Sequence, residues 1–535
     1  MSVGDLEKAL PTRWVSAEAD ALISGLMAEP WGQVSASVYE TGRLVTLTPW
    51  LTGHPQRVRY LVETQRPDGG WGALEPRYAL VPTLSATEAL LAASRRETLT
   101  ADAEAAAAGG LRILFRWLHG PEALTASDLP DMPAIELIVP SLVDLINGHL
   151  AGSADRLQPP AGLGNTKLTT IRMLLGSGAA VPEKLLHALE VAGDAACRSA
   201  TIRPASTGTV GASPAATAAW LGGLRPADPD DPAWRYLKSA ARQHDGPVAC
   251  GLPVTVFERA WVLSWLVRAG IRPVVPDALL ESLRATLGPA GTAAAAGLPA
   301  DADTTAGALY ALALLGTPHP PDMLRAYELE SNFCTWPGEQ GHSITTNAHV
   351  LEAFGQYICG HPGTAARYLP AITKTSTWLR AQQRADGSWL DRWHVSPYYA
   401  TACAAIALDR FDGEHSAGAV HRARQWLLAT QRPDGSWGVW NGTAEETAYA
   451  VQILLLTRPP EEESEHAAAR GCAYLQRSPH SPADQPLWHD KDLYLPTAVV
   501  RAAVLAARHL GEGARSGDNR TKFPGYVPND TRSPW

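Results

Sequence analysis

Gln65-Arg66-Pro67-Asp68-Gly69-Gly70-Trp71, Gln383-Arg384-Ala385-Asp386-Gly387-Ser388-Trp389 and Gln431-Arg432-Pro433-Asp434-Gly435-Ser436-Trp437 are three copies of one pattern, Q-x-x-D-G-x-W. The last two begin 48 residues apart, room for a helix, a turn and a returning helix. Repetition of this kind is the signature of an architecture built from one recurring supersecondary unit. The Asp-Gly step is a turn signal, because Gly accepts positive φ and Asp bonds its own backbone. Apolar residues at three- and four-residue spacing precede the copies, as with Val58, Leu61 and Val62 or Ala423, Trp426 and Leu427. Helices rich in Ala and Thr follow them, beginning near Ser85, Tyr398 and Glu445, and Ser213 and Asp301 open similar stretches. Such small-residue helices suit the inner layer of a barrel of antiparallel helix pairs. The expectation is an all-α protein of α-α barrels, in which the repeated Gln and Trp brace helix ends and do no chemistry. Continuous β-rich segments are rare.

The chain has 535 residues, more than one ordinary core holds, which predicts at least two domains. Hydrophobic residues make up 45% and charged residues 19%, the balance of a folded soluble protein. A net charge of −9 and the lack of a long basic run argue against nucleic-acid binding. The six Cys have no CxxC spacing, which speaks against a disulfide framework and a structural zinc site. The start, MSVGDLEKAL, lacks a signal-peptide layout, and no stretch is apolar for long enough to span a bilayer. The cytoplasm is the expected compartment. There are 18 Trp against 6 Phe, which sets the repeat apart from general aromatic enrichment.

Asp301-Ala302-Asp303-Thr304-Thr305-Ala306 opens an apolar helix. Two acids at a helix start can serve as caps and complement the dipole. The preceding run, TAAAAGLPA, is uncharged, and the motif sits where other repeats carry their Ala/Thr openings, so it is expected to face a barrel interior. Two desolvated carboxylates this close do not readily both ionise, so one pKa rises above the free Asp value of ~3.9. A carboxylic acid kept neutral near physiological pH is what Brønsted acid catalysis needs.

The Q-x-x-D-G-x-W repeats together with D-x-D-T-T-A resemble the class II terpene cyclases, which include squalene-hopene cyclases and copalyl diphosphate synthases. SVYETGRLV from Ser37, IELIVPSLVDLI from Ile135, PVTVFERAWVLSWLVRAGI from Pro253, FCTWPGE from Phe333 and LWHDKDLYLP from Leu487 are similar to further segments of that family, in the same order. The resemblance implies that Asp303 donates the initiating proton and that Asp301 supports it by hydrogen bonding and charge. Thr304 stands where the commoner D-x-D-D form has a last Asp. That D-x-D-T-T form resembles bacterial cyclases making drimane- or halimane-type diphosphates.

The resemblance further implies two domains. Residues 1–30 supply the first helix of a β domain, 31–271 an inserted γ domain, 272–514 the rest of the β domain and 515–535 a flexible tail. Class I ionisation of the diphosphate is disfavoured, since the only Asp-Asp pair, Asp230-Asp231, lies in a Pro-rich loop without the remainder of D-D-x-x-D. The family's Mg²⁺-associated acids fall on Asp128, Asp131 and Glu136, whose oxygens suit Mg²⁺ but also suit a capped, solvated loop. Lys167 resembles a Lys that meets the diphosphate, and Lys491 is a second candidate that Asp490 and Asp492 could neutralise. Trp336, Trp393, Tyr398, Tyr399 and Tyr494 lie in segments resembling cavity walls, where ring faces stabilise carbocations and exclude water. The terminating base stays open among His349, His394, water and the diphosphate.

The expected reaction is protonation-initiated cyclisation of a linear prenyl diphosphate with the diphosphate retained. Farnesyl diphosphate giving drimenyl diphosphate is the first expectation, and geranylgeranyl diphosphate giving a halimane or labdane diphosphate is the alternative. From other classes, a helical-barrel glycoside hydrolase needs two carboxylates ~5–9.5 Å apart across a sugar cleft. A non-catalytic binding toroid needs no apolar-flanked acid pair.

Overall fold

A computed structural model describes residues 3–150, 156–223, 228, 230–458, 461–478 and 484–516, with the side chains of the first helix described from Trp14 on. The expected tail at 515–535 falls almost wholly outside these residues, and its first two positions end the last helix.

The chain opens with α1 (Val3–Ala28), then passes through α2 (Val38–Leu47), α3 (His54–Glu63), α4 (Pro76–Ser94), α5 (Ala101–His119), α6 (Ile135–His149) and α7 (Thr166–Gly176). An irregular helical segment (Glu183–Ala196), α8 (Pro214–Leu221) and α9 (Pro232–Gln243) follow. In this part α2, α4, α6, the irregular segment and α8 pack in sequence and α8 returns to α2, so they close a small inner ring. The outer helices are α3, packed on α2 and α5, α5 on α4, α7 on α6, and α9 on α8.

The second part holds α10 (Thr255–Arg268), α11 (Asp277–Arg284), α12 (Ala302–Leu314), α13 (Ile344–Gly360), α14 (Ala365–Ala381), α15 (Pro397–Phe411), α16 (Gly413–Thr430), α17 (Ala444–Leu456), α18 (Glu462–Arg477) and α19 (Thr497–Ser516). Here α10, α12, α13, α15, α17 and α19 form a closed ring of six, each packing on the next and α19 on α10. The outer layer comprises α1, α11, the short helical segment Pro321–Tyr327, α14, α16 and α18. Among the described residues, strands are limited to β1 (Trp488–His489) and β2 (Leu493–Tyr494), an antiparallel pair with Trp488 opposite Tyr494.

One boundary differs from the sequence reading. Helix α10 falls within 31–271, yet its Val256, Phe257, Trp261 and Trp265 share one buried core with α12, α13 and α19. It is an inner helix of the second barrel, so the chain is back in that barrel by Thr255 rather than at residue 272. Its aromatic and aliphatic face needs a partner, and the six-membered ring supplies one.

The repeat works by hydrogen bonding at helix ends. Gln65, Gln383 and Gln431 each donate from Nε2 to the Gly carbonyl four residues on and to a carbonyl of the next outer helix, at Ala106, Ala419 and Ala467, over 2.8–3.0 Å. Trp71, Trp389 and Trp437 are fully buried and donate Nε1–H to the carbonyls of Leu61, Leu379 and Leu427. Their backbone N–H groups donate to Thr83, Thr401 and Thr447 of the following inner helix. Thr217 and Thr305 take the same bond from Val210 and Thr292, where the Trp is missing. The Gly of each Asp-Gly has φ between +92° and +96° at residues 69, 387 and 435, and an added Cβ would strike a carbonyl of the next outer helix. Burying one Trp and satisfying its N–H together fix each inner-outer hairpin.

Candidate active site

The inner helices of the second barrel start at one end, and polar bonds stitch those starts together. Ala302 N–H donates to Thr335 just before α13. Asp391, before α15, accepts from the first residues of α13, Ile344 and Thr345. Ser396 at the start of α15 donates to Glu446 at the start of α17. His394 bridges to Trp488, and Phe257 of α10 contacts the Trp488 ring. Residues in the first turns of all these helices therefore gather at this end.

Asp301 and Asp303 are at this mouth, on α12. Asp301 is the N-cap: its carboxylate accepts the Thr304 N–H at 2.6 Å. Burial, then the charge of Asp303, push its pKa up to about 8. The Asp303 backbone N–H also bonds to this carboxyl, but no side-chain bond joins the two carboxyls among the described residues, so Asp301 acts on the Asp303 carboxyl by charge. Asp303, in the first turn, is bonded instead to His349 of α13, with Nδ1 of His349 2.8 Å from Oδ1 of Asp303. Burial alone would depress the His349 pKa, but the Asp303 charge and the Cys403 thiol outweigh it and hold it well above the ordinary His value. The side chain of Asp303 keeps 18% of its surface exposed, whereas Asp301 as a residue keeps 5%. Of the two acids, only Asp303 offers an accessible oxygen.

Below Asp303 one helical turn, Gly307 leaves space for the indole of Trp261, which a Cβ there would meet at 2.5 Å. Trp261 stands edge-on to His349 at 4.8 Å and donates Nε1–H to the Tyr399 hydroxyl at 2.7 Å. Tyr399 lies 4.6 Å from Trp488 and 5.3 Å from Tyr449. Phe257 contacts both Trp261 and Trp488. A wall of rings thus runs from Asp303 around the barrel, where water would be scarce and cations attracted.

The sequence-derived residues divide sharply. Tyr399 and Tyr494 belong to this wall, Tyr494 reaching Trp488 at 6.3 Å. Tyr398 does not: its ring lies 4.6 Å from Trp426 of the outer helix α16, because neighbouring helical residues point about 100° apart. Trp336 and Trp393 pair with each other at 5.5 Å in the loops before α13 and α15. Lys491 is fully buried in ion pairs with Glu40 and Glu190 of the first barrel, so it is not open to a ligand.

The three acids expected at a metal do not form a ligand set. Asp128 accepts from the backbone and hydroxyl of Thr125 as part of a capping box. Asp131 is 2.8 Å from Arg392 of the second barrel. Glu136 lies 3.6 Å from Lys167, a side chain 70% exposed. No group of three His, Cys, Asp or Glu suited to a metal ion occurs among the described residues. A resident Mg²⁺ does not fit this arrangement. No helix among the described residues is long and apolar enough to cross a membrane.

Three residues of the wall, Phe257, Trp261 and Trp488, were given no role in the sequence reading, and His349, weighed there as a terminating base, stands beside the acid instead. Phe257 and Trp261 stand in the PVTVFERAWVLSW stretch, at four-residue spacing on one face, which was the available signal.

Residues 341–497 match the squalene-hopene cyclase C-terminal domain family. The chain is 42% identical over 510 residues to ent-copalyl diphosphate synthase of Streptomyces sp. (strain KO-3988), covering 93% of this chain and 97% of that protein. It is 37% identical to labda-7,13-dienyl diphosphate synthase of Streptomyces clavuligerus, covering 99% and 97%. The solved ent-copalyl diphosphate synthase from Streptomyces platensis superposes with a TM-score of 0.88 at 44% identity, covering 93% of this chain and 99% of that one.

Proposed function

Since the chain belongs to the class II terpene cyclases, we propose that it cyclises a linear prenyl diphosphate to a bicyclic diphosphate by protonation from Asp303. The contact that carries this reading is the 2.8 Å bond between Asp303 and His349 at the rim of the ring-lined wall. The Oδ2–H of Asp303 gives its proton to the terminal alkene of the substrate. The O–H bond breaks, the alkene pair forms a C–H bond, and a tertiary cation results. His349 donates to Oδ1 and stabilises the carboxylate left behind. Asp301, neutral below about pH 8, adds no second negative charge that would make Asp303 hold its proton. The next alkenes close the rings against Trp261, Tyr399 and Trp488, and loss of a proton ends the reaction. No step involves breaking the diphosphate ester.

Geranylgeranyl diphosphate is the substrate the comparisons favour, because the similar proteins are named as copalyl and labdadienyl diphosphate synthases, whose products carry a twenty-carbon skeleton. The first sequence expectation, farnesyl diphosphate to drimenyl diphosphate, has no such support and becomes the second reading. It is kept because of D-x-D-T-T at Asp301–Thr305. A sugar cleft fits poorly with a site walled by indoles and phenols, and Asp301 is committed to capping.

Purified protein offered each diphosphate separately, with and without added Mg²⁺, tests the reading. Products are dephosphorylated and identified by mass spectrometry. A bicyclic C20 alcohol supports the first reading, a bicyclic C15 alcohol the second, and acyclic alcohols alone from both would sink the cyclase proposal. Loss of cyclisation without Mg²⁺ would place the ion with the substrate, whose phosphates supply the oxygens the protein does not gather.

The Asp301 carboxyl gives a pH expectation with a definite sign. Its folded pKa lies above the ordinary Asp value, so the folded state binds its proton more tightly than the unfolded chain does. An Asp301 anion formed above about pH 8 stands beside Asp303 and repels the carboxylate that proton donation leaves there. The thermal midpoint is expected to fall between about pH 4 and about pH 8 and to level off above it, whereas the initial rate falls as Asp301 ionises above about pH 8, and Asp301→Asn is expected to remove the alkaline limb from the rate profile. A profile unchanged in Asp301→Asn would disconnect Asp301 from proton donation.

A further inference from the structure

Glu445 occupies the first turn of α17, which stands opposite α12 in the six-membered inner ring, three helices away in either direction. It is a carboxylate in the same mouth as Asp303, and its side chain is 4% exposed. Oε1 accepts three bonds: from His394 Nε2 at 3.0 Å, from the Tyr449 hydroxyl at 3.0 Å and from Trp488 Nε1 at 2.7 Å. Among the described residues no donor reaches Oε2, and no Lys or Arg pairs with either oxygen. Neutral donors of this kind stabilise an anion without cancelling its charge.

The donors also say which groups are spoken for. Nδ1 of His394 accepts the Ser396 N–H at 2.9 Å, so its proton is on Nε2 and points at Glu445. His394 therefore has no free nitrogen with which to take a proton. His349 is engaged by Asp303. Glu446 next door has both oxygens occupied, Oε1 by Ser396 and the Val439 N–H and Oε2 by the hydroxyl of Thr443, the N-cap of α17. Glu445 thus combines neutral donors at one oxygen with a second oxygen that no donor reaches among the described residues. Trp488 and Tyr399 lie between it and Trp261, so the ring wall links the two acids. Tyr494 is close enough to feel both: burial first, then the charges of Asp490, Cys250, Glu445 and Asp303, raise its pKa well above the ordinary Tyr value.

We propose that Glu445 is the base that ends the reaction, taking a proton through Oε2 from the carbon beside the cationic centre of the bicycle. The inference rests on the class II cyclisation proposed above. The C–H bond breaks, its electron pair becomes the alkene, and the carboxylate becomes a carboxylic acid. That proton passes to solvent when product leaves, and Asp303 takes one up, so the cycle closes without net consumption of acid. Before its final step the same anion faces the migrating charge from the far wall. It offsets the positive ends of the inner helices that converge there, and so draws the cation away from Asp303.

Glu445→Gln keeps the side-chain volume and an oxygen that accepts from Trp488, but it is not a base. Glu445→Asp keeps a carboxylate. Each is compared with the native chain and with Asp303→Asn, using single-turnover consumption of the diphosphate and the identity of the dephosphorylated products, with circular dichroism reporting folding. Substrate consumption by Glu445→Gln is expected to stay within about tenfold of native. Its product is expected to shift to a hydroxylated bicycle, from water capture, or to displaced alkene isomers. Glu445→Asp is expected to restore the native alkene at reduced rate. The native product alone from Glu445→Gln overturns the proposal, and so does complete loss of consumption in both folded variants, which would place Glu445 in an earlier step. Should Glu445→Gln fail to fold, Glu445→Asp decides, since an unrestored product from a folded carboxylate variant is equally fatal. If the native chain itself forms no ring, or Asp303→Asn still does, the cyclase reading fails separately.

Discussion

Asp303→Asn is expected to lower cyclisation by about 10²–10⁴-fold, the range by which a positioned general acid accelerates proton transfer, while leaving the fold intact. The substitution is nearly isosteric. An amide oxygen at the Oδ1 position still accepts from His349, whose Nδ1 lies 2.8 Å away. What it removes is the only acidic proton at an accessible oxygen of this motif, because Asp301 holds its carboxyl against the Thr304 N–H and is buried. A thermal midpoint close to native, together with the lost rate, separates chemistry from stability. His349→Gln is the companion measurement. It can keep a hydrogen bond but carries no charge, so it tests whether stabilising the departing carboxylate matters, and it is expected to cost less than Asp303→Asn. Cyclisation at the native rate by Asp303→Asn would end the Asp303 assignment and return the motif to helix capping.

Local chemistry decided how much of this was legible in the sequence. The barrel was legible because each Q-x-x-D-G-x-W copy acts within a few residues of itself: Asp68, Asp386 and Asp434 each accept the N–H two residues on, and a Gly follows each with φ > 0. The acid pair was legible because an uncharged approach and an apolar helix leave two carboxylates nowhere else to go. The neighbours of Asp303 were not, since His349 and Trp261 come from other inner helices and their meeting depends on how the ring closes. Side-chain direction was the other gap. Tyr398 and Tyr399 are adjacent and both aromatic, but only one faces inward. The acids at Asp128, Asp131 and Glu136 cluster in the chain and scatter in space, because a Thr cap, Arg392 and Lys167 each claim one of them. Spacing along a loop carries no information about that.

Lys491 shows the opposite case, and its replacement should have the largest effect on stability. The hairpin β1–β2 carries it out of the second barrel into the first. There its ammonium donates to Glu40 at 2.7 Å, Glu190 at 2.9 Å and Ser213 at 2.7 Å, with no exposed surface. Asp490 and Asp492 on either side do not bond to its ammonium. Asp490 binds His187 at 2.6 Å, and Asp492 accepts from Ser37 at 2.8 Å and the Tyr39 N–H at 3.0 Å. Burial opposes the charged ammonium, but Glu190, Glu40 and Asp490 outweigh that and hold its pKa well above the ordinary Lys value. Lys491→Met fills the space and leaves Glu40 and Glu190 buried without their cation. Removing one partner of a buried pair costs about 3–5 kcal/mol, here at the joint between the barrels. The variant is expected to recover part of that loss in mild acid, where the stranded carboxylates take up protons and the burial of charge is relieved. Trp488 and Tyr494 flank the hairpin tip, so residual activity should come with a changed product mixture as the ring wall loosens. A Lys491 that met the diphosphate would behave differently: KM would rise steeply while the thermal midpoint of Lys491→Met stayed at the native value. That outcome would require the ammonium to leave two carboxylates in a solvent-free interior when substrate arrives, at an electrostatic cost the diphosphate would have to exceed.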